Sequence, residues 1–234
     1  MLKQDLIMRN PLRLLSTDGD EILVPGAFGA VLARAGVGKT ALAIQLALNT
    51  LLQNKNVLHI SLNEPVGKVS LWYKEVLGRF AQQHKVPQME RLLDTLAPHR
   101  FIMTFQVEGF SAPKLEERLT DLTTQNIFIP NLVIIDGLPF DAQVRGTLAA
   151  LKSMAAAQKL PIWFTVTTHR HEPPAEDGLP IQIHPVQDLF DVAIALQPEA
   201  DTVHIRPLKG VRVADAQAPL TLDPATMLIR GTEK

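Results

Sequence analysis

The sequence predicts an α/β fold in which a mostly parallel, doubly wound sheet has helices on both faces and a C-terminal antiparallel extension. Short apolar runs alternate with longer segments of helical spacing over most of the chain, which is the pattern of β-α-β units. Near the C-terminus the pattern changes to short strands joined by turns. With 234 residues, 46% of them apolar, the chain can build one continuous core, so we expect a single domain over residues 1–234.

The first β-α-β unit begins with the apolar segment 28–33, which predicts a buried strand. A glycine-containing loop follows, and residues 40–53 then form an alanine- and leucine-rich segment that predicts a helix buried between the sheet and other elements. The segment 56–62 predicts a second strand, and Pro65 ends its regular pairing.

The later elements follow from the same two patterns. Helical spacing covers residues 66–84, 88–97, 114–121 and 142–159, and apolar strands are predicted at 101–105, 132–135 and 162–167. The stretch 169–185 is rich in proline and lacks periodicity, so we predict a long loop. Short strands at 192–196, 202–208, 220–222 and 227–229 predict the antiparallel extension.

A phosphate-binding loop is predicted between the first strand and the first helix. Residues 33–40 read ARAGVGKT, which fits the P-loop pattern except that Ala33 stands where glycine is usual. Backbone N–H groups and the helix N-terminus would face phosphate, Lys39 would reach the β- and γ-phosphates, and the Thr40 hydroxyl would bind Mg²⁺. The expected ATP contacts are Ala35, Gly36, Val37, Gly38, Lys39, Thr40 and Ala41. The alternative is a glycine turn before an ordinary helix.

Two carboxylates are candidates for the rest of an ATP site. Asp136 ends the apolar run 132–135, where it could hold Mg²⁺ through the water shell of the ion. Glu64 follows the second strand and could polarise an attacking water if that strand neighbours the strand before the phosphate loop. The alternative for Glu64 is an exposed carboxylate beside a proline turn.

The ordered motifs resemble those of the RecA-like P-loop ATPase superfamily, in particular its KaiC and DnaB-helicase-like branch. They are the loop at 33–40, Ser61-Leu62-Asn63-Glu64-Pro65, Val133-Ile134-Ile135-Asp136 and Thr165-Val166-Thr167-Thr168, and the resemblance covers roughly residues 25–229. It implies a RecA-like core with Glu64 as the catalytic glutamate. Asn63 stands where KaiC-like proteins commonly carry a second acid.

The resemblance also implies a sensor strand and a basic finger. The strand at 162–167 would report the γ-phosphate through Thr167 or Thr168, although threonine also favours strands for packing reasons alone. The turn 207–212 would insert Lys209 or Arg212 into the nucleotide site of a neighbouring subunit, which requires a ring or filament. The alternative is a solvated basic turn.

These observations favour an oligomeric ATPase that acts on a macromolecular partner through nucleotide-driven conformational change. A nucleotide-gated binding module with little hydrolysis is one alternative, and an accessory ATPase that binds single-stranded DNA is another. Lysine and arginine total 23 against 24 for aspartate and glutamate, and the loops 137–145 and 168–185 form no evident basic track. The chain lacks cysteine, a signal-like N-terminus and any run able to span a bilayer, so we expect a cytoplasmic protein without a membrane partner.

Overall fold

The computed structural model describes residues 6–7, 12, 15, 22–86, 89–211 and 220–230. Nine strands are described: β1 Phe28–Ala33, β2 Val57–Ser61, β3 Arg100–Thr104, β4 Leu132–Asp136, β5 Ile162–Thr167, β6 Val192–Glu199, β7 Thr202–Lys209, β8 Thr221–Leu222 and β9 Ile229–Arg230. Five long helices are described: α1 Lys39–Leu52, α2 Val66–Gln83, α3 Met89–Leu96, α4 Ala112–Thr124 and α5 Val144–Gln158. Short 3₁₀ turns occupy Ala97–His99, Val107–Gly109 and His184–Leu189.

All nine described strands form one mixed sheet, in the order β3-β2-β4-β5-β1-β6-β7-β8-β9. The strands from β3 to β6 in this order are parallel, and β7, β8 and β9 are antiparallel. The α/β class, the mostly parallel sheet and an antiparallel extension are therefore confirmed. The extension begins one strand later than predicted, because β6, expected as its first strand, pairs in parallel with β1 and only β7, β8 and β9 are antiparallel to their neighbours.

The condition attached to Glu64, that its strand neighbours the strand before the predicted phosphate loop, is not met. β2 pairs with β3 and β4, and both β4 and β5 stand between it and β1. Strand order depends on how helices pack across the sheet, and the local sequence does not encode it.

Two apolar clusters cover the two faces of the sheet. Side chains of successive strand residues point to opposite faces, so Leu132 and Ile134 of β4 join one cluster while Val133 and Ile135 join the other. Helices α1, α2 and α3 contribute to the first cluster, and α4 and α5 contribute to the second. The predicted arrangement with helices on both faces is present in the described chain.

This topology brings the carboxyl ends of β1, β2, β4 and β5 to the same edge of the sheet, because parallel strands end on the same side. The phosphate loop, Glu64, Asp136 and Thr167 all follow or end these strands. In the part of the chain that the structure describes, no helix combines the length and apolar character needed to cross a membrane.

Candidate functional site

The predicted phosphate loop connects β1 directly to α1. Gly36 and Gly38 have φ values of 78° and 111°. Residues other than glycine rarely adopt this left-handed backbone conformation. Gly38 caps α1 without a side-chain hydrogen bond, and no acidic residue lies in the first helical turn. The first N–H groups of α1 are therefore directed outward from a helix end that has neither a side-chain cap nor an acidic residue, which is the arrangement that binds anions.

Lys39 folds back over this loop. Its ammonium donates hydrogen bonds to the carbonyl oxygens of Ala33 and Arg34, both at 3.1 Å. Burial lowers the pKa of Lys39, and the nearby charge of Asp136 opposes that shift. This partly desolvated ammonium lies at the N-terminus of α1, where contact with an anion would stabilise it.

Asp136 is held by hydroxyl groups from two other elements. Thr40 Oγ1, at the start of α1, donates to Asp136 Oδ2 at 2.9 Å. Thr165 Oγ1, on β5, donates to Asp136 Oδ1 at 2.5 Å and accepts a hydrogen bond from the Gly137 amide at 3.1 Å. The structure thus brings together Thr40 and Asp136, the two residues that the sequence nominates as magnesium ligands.

No family model matches this chain, and no curated protein matches it.

The oxygen atoms of Thr40 and Asp136 fit the preference of Mg²⁺ for hydroxyl and carboxylate ligands. Among the described residues, no group of three or more His, Asp or Glu side chains is arranged to hold a metal ion. A cation at this position would consequently need phosphate oxygens and water to complete its coordination, as Mg²⁺ does when it binds with a nucleotide.

Glu64 lies beyond the end of β2, on the side of Asp136 away from the phosphate loop strand. The register pairs Ser61 with Asp136, and the Ser61 hydroxyl accepts a hydrogen bond from the Glu64 amide at 3.0 Å. The Glu64 carboxylate forms a salt bridge with Lys68 at 2.8 Å, four residues along α2. This carboxylate is at the correct edge of the sheet, but it is paired with a lysine.

Asn63 packs against the residue that follows Asp136. Gly137 has φ 91°, and a β-carbon at that position would lie 2.4 Å from Asn63 Nδ2. The loop after β2 and the loop after β4 are therefore in close contact.

Thr167 and Thr168 lie beside the beginning of the phosphate loop. Thr167 is exposed and pairs in register with Ala33, and the Thr168 amide donates to the Ala33 carbonyl oxygen at 3.0 Å. The threonine that contacts Asp136 is Thr165, which the sequence prediction passed over. The sequence could not single it out, because Thr167 is also a polar residue near the end of β5 and the adjacency of β4 and β5 emerges only in the fold.

Lys209 points into its own chain in this structure. Its ammonium donates to the Gln187 carbonyl oxygen at 2.8 Å. A finger role would require Lys209 to leave this carbonyl and reach a neighbouring subunit. Arg212, the other finger candidate, lies outside the described residues.

A buried polar group lies behind the site, and sequence reasoning missed it. His59 of β2 is fully buried, and its Nδ1 is 3.0 Å from the hydroxyl of Tyr73 on α2. Burial lowers the pKa of His59 to about 4; Asp136 opposes the shift and Arg100 adds to it. The guanidinium of Arg100 lies 4.6 Å from the centre of the Tyr73 ring. This cluster joins β2 to the helix that follows Glu64.

The loops after β4 and β5 enclose an open cavity of about 250 Å³. Arg145 borders the cavity and makes a bidentate salt bridge with Asp188, with Nη1–Oδ1 and Nη2–Oδ2 distances of 2.8 and 2.7 Å. Asp188 thus neutralises the charge of Arg145 within the chain. A track of free basic side chains, which single-stranded DNA would need, is not formed by the described residues of these loops.

Proposed function

We propose that this protein binds ATP with Mg²⁺ at the phosphate loop and hydrolyses it, as an oligomeric RecA- and KaiC-like ATPase that acts on a macromolecular partner. The observation that carries the proposal is the 2.9 Å hydrogen bond between Thr40 and Asp136. It joins a hydroxyl at the start of the P-loop helix to a carboxylate 96 residues later. An ordinary glycine turn before a helix does not require a strand-end carboxylate at this point.

Binding would use groups that are already assembled. The loop amides of Ala35 to Gly38 and the N-terminus of α1 would receive the phosphates. Lys39 would exchange the carbonyls of Ala33 and Arg34 for phosphate oxygens, and the anion would raise its depressed pKa. Thr40 and Asp136 would hold Mg²⁺, which neutralises charge on the β- and γ-phosphates.

Hydrolysis would depend on Glu64. To orient and polarise a water molecule, its carboxylate would have to face the γ-phosphate and exchange the Lys68 salt bridge for that water. Both side chains are partly exposed, so the salt bridge itself opposes this exchange only weakly. A nucleotide-dependent movement of the loop 62–65 is therefore part of the proposal.

A nucleotide-gated binding module with little hydrolysis is the second candidate. The Glu64–Lys68 pair favours it, because a carboxylate held by a lysine is a poor base while the pair persists. The neutral Asn63 beside Glu64 points in the same direction. Under this alternative, ATP binding would change the surface offered to a partner without turnover.

The oligomer and its cytoplasmic location also belong to the proposal. Lys209 or Arg212 of one subunit would complete the site of the next subunit by neutralising charge on the transferred phosphoryl group. Lys209 is partly buried, donates one hydrogen bond to a carbonyl and lies near the charge of Asp188, so subunit contact would have to replace both interactions to release it.

A single-turnover assay with Mg²⁺-ATP distinguishes the two candidates. Lys39→Ala should weaken ATP binding at least tenfold, because it removes the cation at the phosphates. Glu64→Gln should keep ATP binding and lower the turnover rate by about a hundredfold, since it removes a proton acceptor. Lys74→Ala and Glu75→Gln make the same chemical changes at exposed positions of α2 and should match the wild type.

The outcomes are distinct. Wild-type binding with no hydrolysis under oligomer-forming conditions would establish the binding module. Turnover by Glu64→Gln at the wild-type rate would remove Glu64 from the reaction. If the wild-type protein binds no ATP at millimolar concentration, the proposed function is wrong.

A further inference from the structure

A short hairpin at the end of the described chain packs on the phosphate loop. We define the C-terminal hairpin as residues 220–230, in which β8 pairs with β9 and with β7. A β-carbon on Gly38 would lie 2.7 Å from Leu222 Cδ2 and 3.2 Å from Met227 Sδ. Gly38 therefore serves two purposes: it adopts a left-handed conformation, and it leaves room for two side chains of this hairpin.

The side chain of Gln45 connects the same hairpin to α1 through hydrogen bonds. This glutamine is only 7% exposed, although it lies in the apolar helix α1. Its Nε2 donates to the carbonyl oxygens of Met227 at 2.8 Å and Ala41 at 3.2 Å, and its Oε1 accepts from the Ile229 amide at 2.9 Å. Each of these hydrogen bonds joins the Gln45 side chain to a backbone group, and two of them reach the hairpin.

Further hydrogen bonds hold the tip of the hairpin. The Asp223 carboxylate accepts from the Ala225 amide at 2.9 Å, and the Met227 amide donates to the Asp223 carbonyl oxygen at 2.6 Å. Arg79 of α2 donates to the Thr226 carbonyl oxygen at 3.1 Å. The tip is thus connected both to α1 and to the helix that follows Glu64.

We propose that the C-terminal hairpin is a clamp that holds the phosphate loop in the conformation that binds nucleotide, with Gln45 as its positioning residue. The inference rests on the proposed function, because it concerns the same loop. Gln45 touches no phosphate in this scheme. It fixes the hairpin, whose Leu222 and Met227 side chains prevent Gly38 from moving outward, so the loop is ordered before ATP arrives.

Two substitutions distinguish loss of the hairpin contact from a general loss of folding stability. Gln45→Met has a similar volume and loses the three hydrogen bonds. Met227→Gly removes the side chain against Gly38 at a residue whose φ is 57°, where glycine is free of strain. The matched control is Ala200→Gly, which makes the same kind of change at φ 49° in the exposed turn between β6 and β7.

Isothermal titration with Mg²⁺-ATP provides the test, with a urea unfolding curve for each variant. Gln45→Met and Met227→Gly should each raise the Kd by about tenfold, because an unclamped loop must be ordered at the moment of binding. The binding stoichiometry should stay at the wild-type value, whereas a partly unfolded variant would lower the stoichiometry instead. Ala200→Gly should bind as the wild type does.

If Gln45→Met fails to fold, Met227→Gly decides the question alone. Wild-type affinity in the folded variants would overturn the clamp and leave the ATP site intact. Absence of binding by the wild-type protein would overturn the proposed function, and the clamp with it.

Discussion

Asp136 shows how much of the site depends on single side chains. One carboxylate oxygen accepts from Thr40 and the other from Thr165, and Thr165 in turn accepts from the Gly137 amide. The carboxylate is therefore fixed in position relative to both α1 and β5. Such fixed orientation reduces the cost of arranging ligands when a cation binds.

The role of Thr165 can be tested by replacing it with an isosteric residue. Thr165→Val removes a hydroxyl that is 3% exposed and makes two hydrogen bonds, leaving the Gly137 amide without a partner. We expect the free energy of unfolding in urea to fall by about 1–3 kcal/mol. Thr167→Val, at the exposed end of the same strand, should change it by less than about 0.5 kcal/mol. Equal effects would contradict the assigned contacts.

His59 predicts a pH dependence of stability. Its pKa is about 4 in the fold against 6.5 ordinarily, because burial penalises the charged form. As the pH falls, the unfolded chain takes up the proton first, so stability is full above pH 6.5 and decreases between pH 6.5 and 4. The loss should reach roughly 3 kcal/mol and then level off below pH 4.

Urea unfolding at several pH values measures this loss, and His59→Gln provides the control. Glutamine keeps a polar partner for the Tyr73 hydroxyl but does not titrate. The difference between the two proteins removes the contribution of the carboxylates. A variant whose stability falls as steeply as that of the wild type between pH 6.5 and 4 would refute the assignment to His59.

At the scale of elements, the buried strands were the easiest to predict from the sequence. The run 132–135 is apolar and ends on a carboxylate, and the structure has β4 at Leu132–Asp136. Helix α1 was equally clear from its alanine- and leucine-rich sequence. Gln45 within that helix gave no signal, because its partners Met227 and Ile229 lie more than 180 residues away and meet it only in the tertiary structure.

The end of β7 is a second place where a tertiary contact determines which residue is tolerated, because a backbone contact there requires glycine. Gly210 has φ 72°, and a β-carbon there would lie 1.9 Å from the Asp191 carbonyl oxygen. This contact fixes the backbone next to Lys209 and contributes to its inward orientation. The sequence prediction of a projecting basic turn could not include it, because the contact comes from the loop before β6.

Gly210→Ala should therefore lower the free energy of unfolding by about 3 kcal/mol or more, through backbone strain and the clash together. Gly178→Ala is the matched control, since Gly178 has φ 80° but open space around its α-carbon. It should cost only about 1 kcal/mol. Thermal or urea unfolding measures both variants, and similar losses would show that the Asp191 contact is unimportant.

At the scale of the whole molecule, the sequence predicted the class of the sheet but not the order of its strands. Alternating apolar and helical segments predict parallel β-α-β units, and β1 to β5 agree, whereas β6, predicted as part of the antiparallel extension, is parallel to β1. The position of β2 beside β4 depends on how α1 and α2 pack together, which local patterns do not reveal. Glu64 consequently approaches the site from the Asp136 side, and it pairs with Lys68 four residues along the chain, a local contact that the sequence prediction did not include.

The separate parts of the candidate site all lie at the carboxyl-end edge of the sheet. The phosphate loop follows β1, Glu64 follows β2, Asp136 ends β4, and Thr165 lies near the end of β5. The C-terminal hairpin packs on the phosphate loop from the direction of β7. A nucleotide at this edge could contact elements from both halves of the chain, which would allow its binding to change their relative positions.

The most direct test of the central claim is calorimetric titration of the wild-type protein with ATP, with Mg²⁺ and then with an excess of a chelator. The site around Thr40 and Asp136 predicts saturable binding in the presence of Mg²⁺ and at least tenfold weaker binding without it, because these residues would hold the cation and the cation would neutralise phosphate charge. Asp136→Asn should bind ATP with the weaker affinity whether or not Mg²⁺ is present. Failure to bind ATP, or affinity that is the same with and without Mg²⁺, would contradict the account.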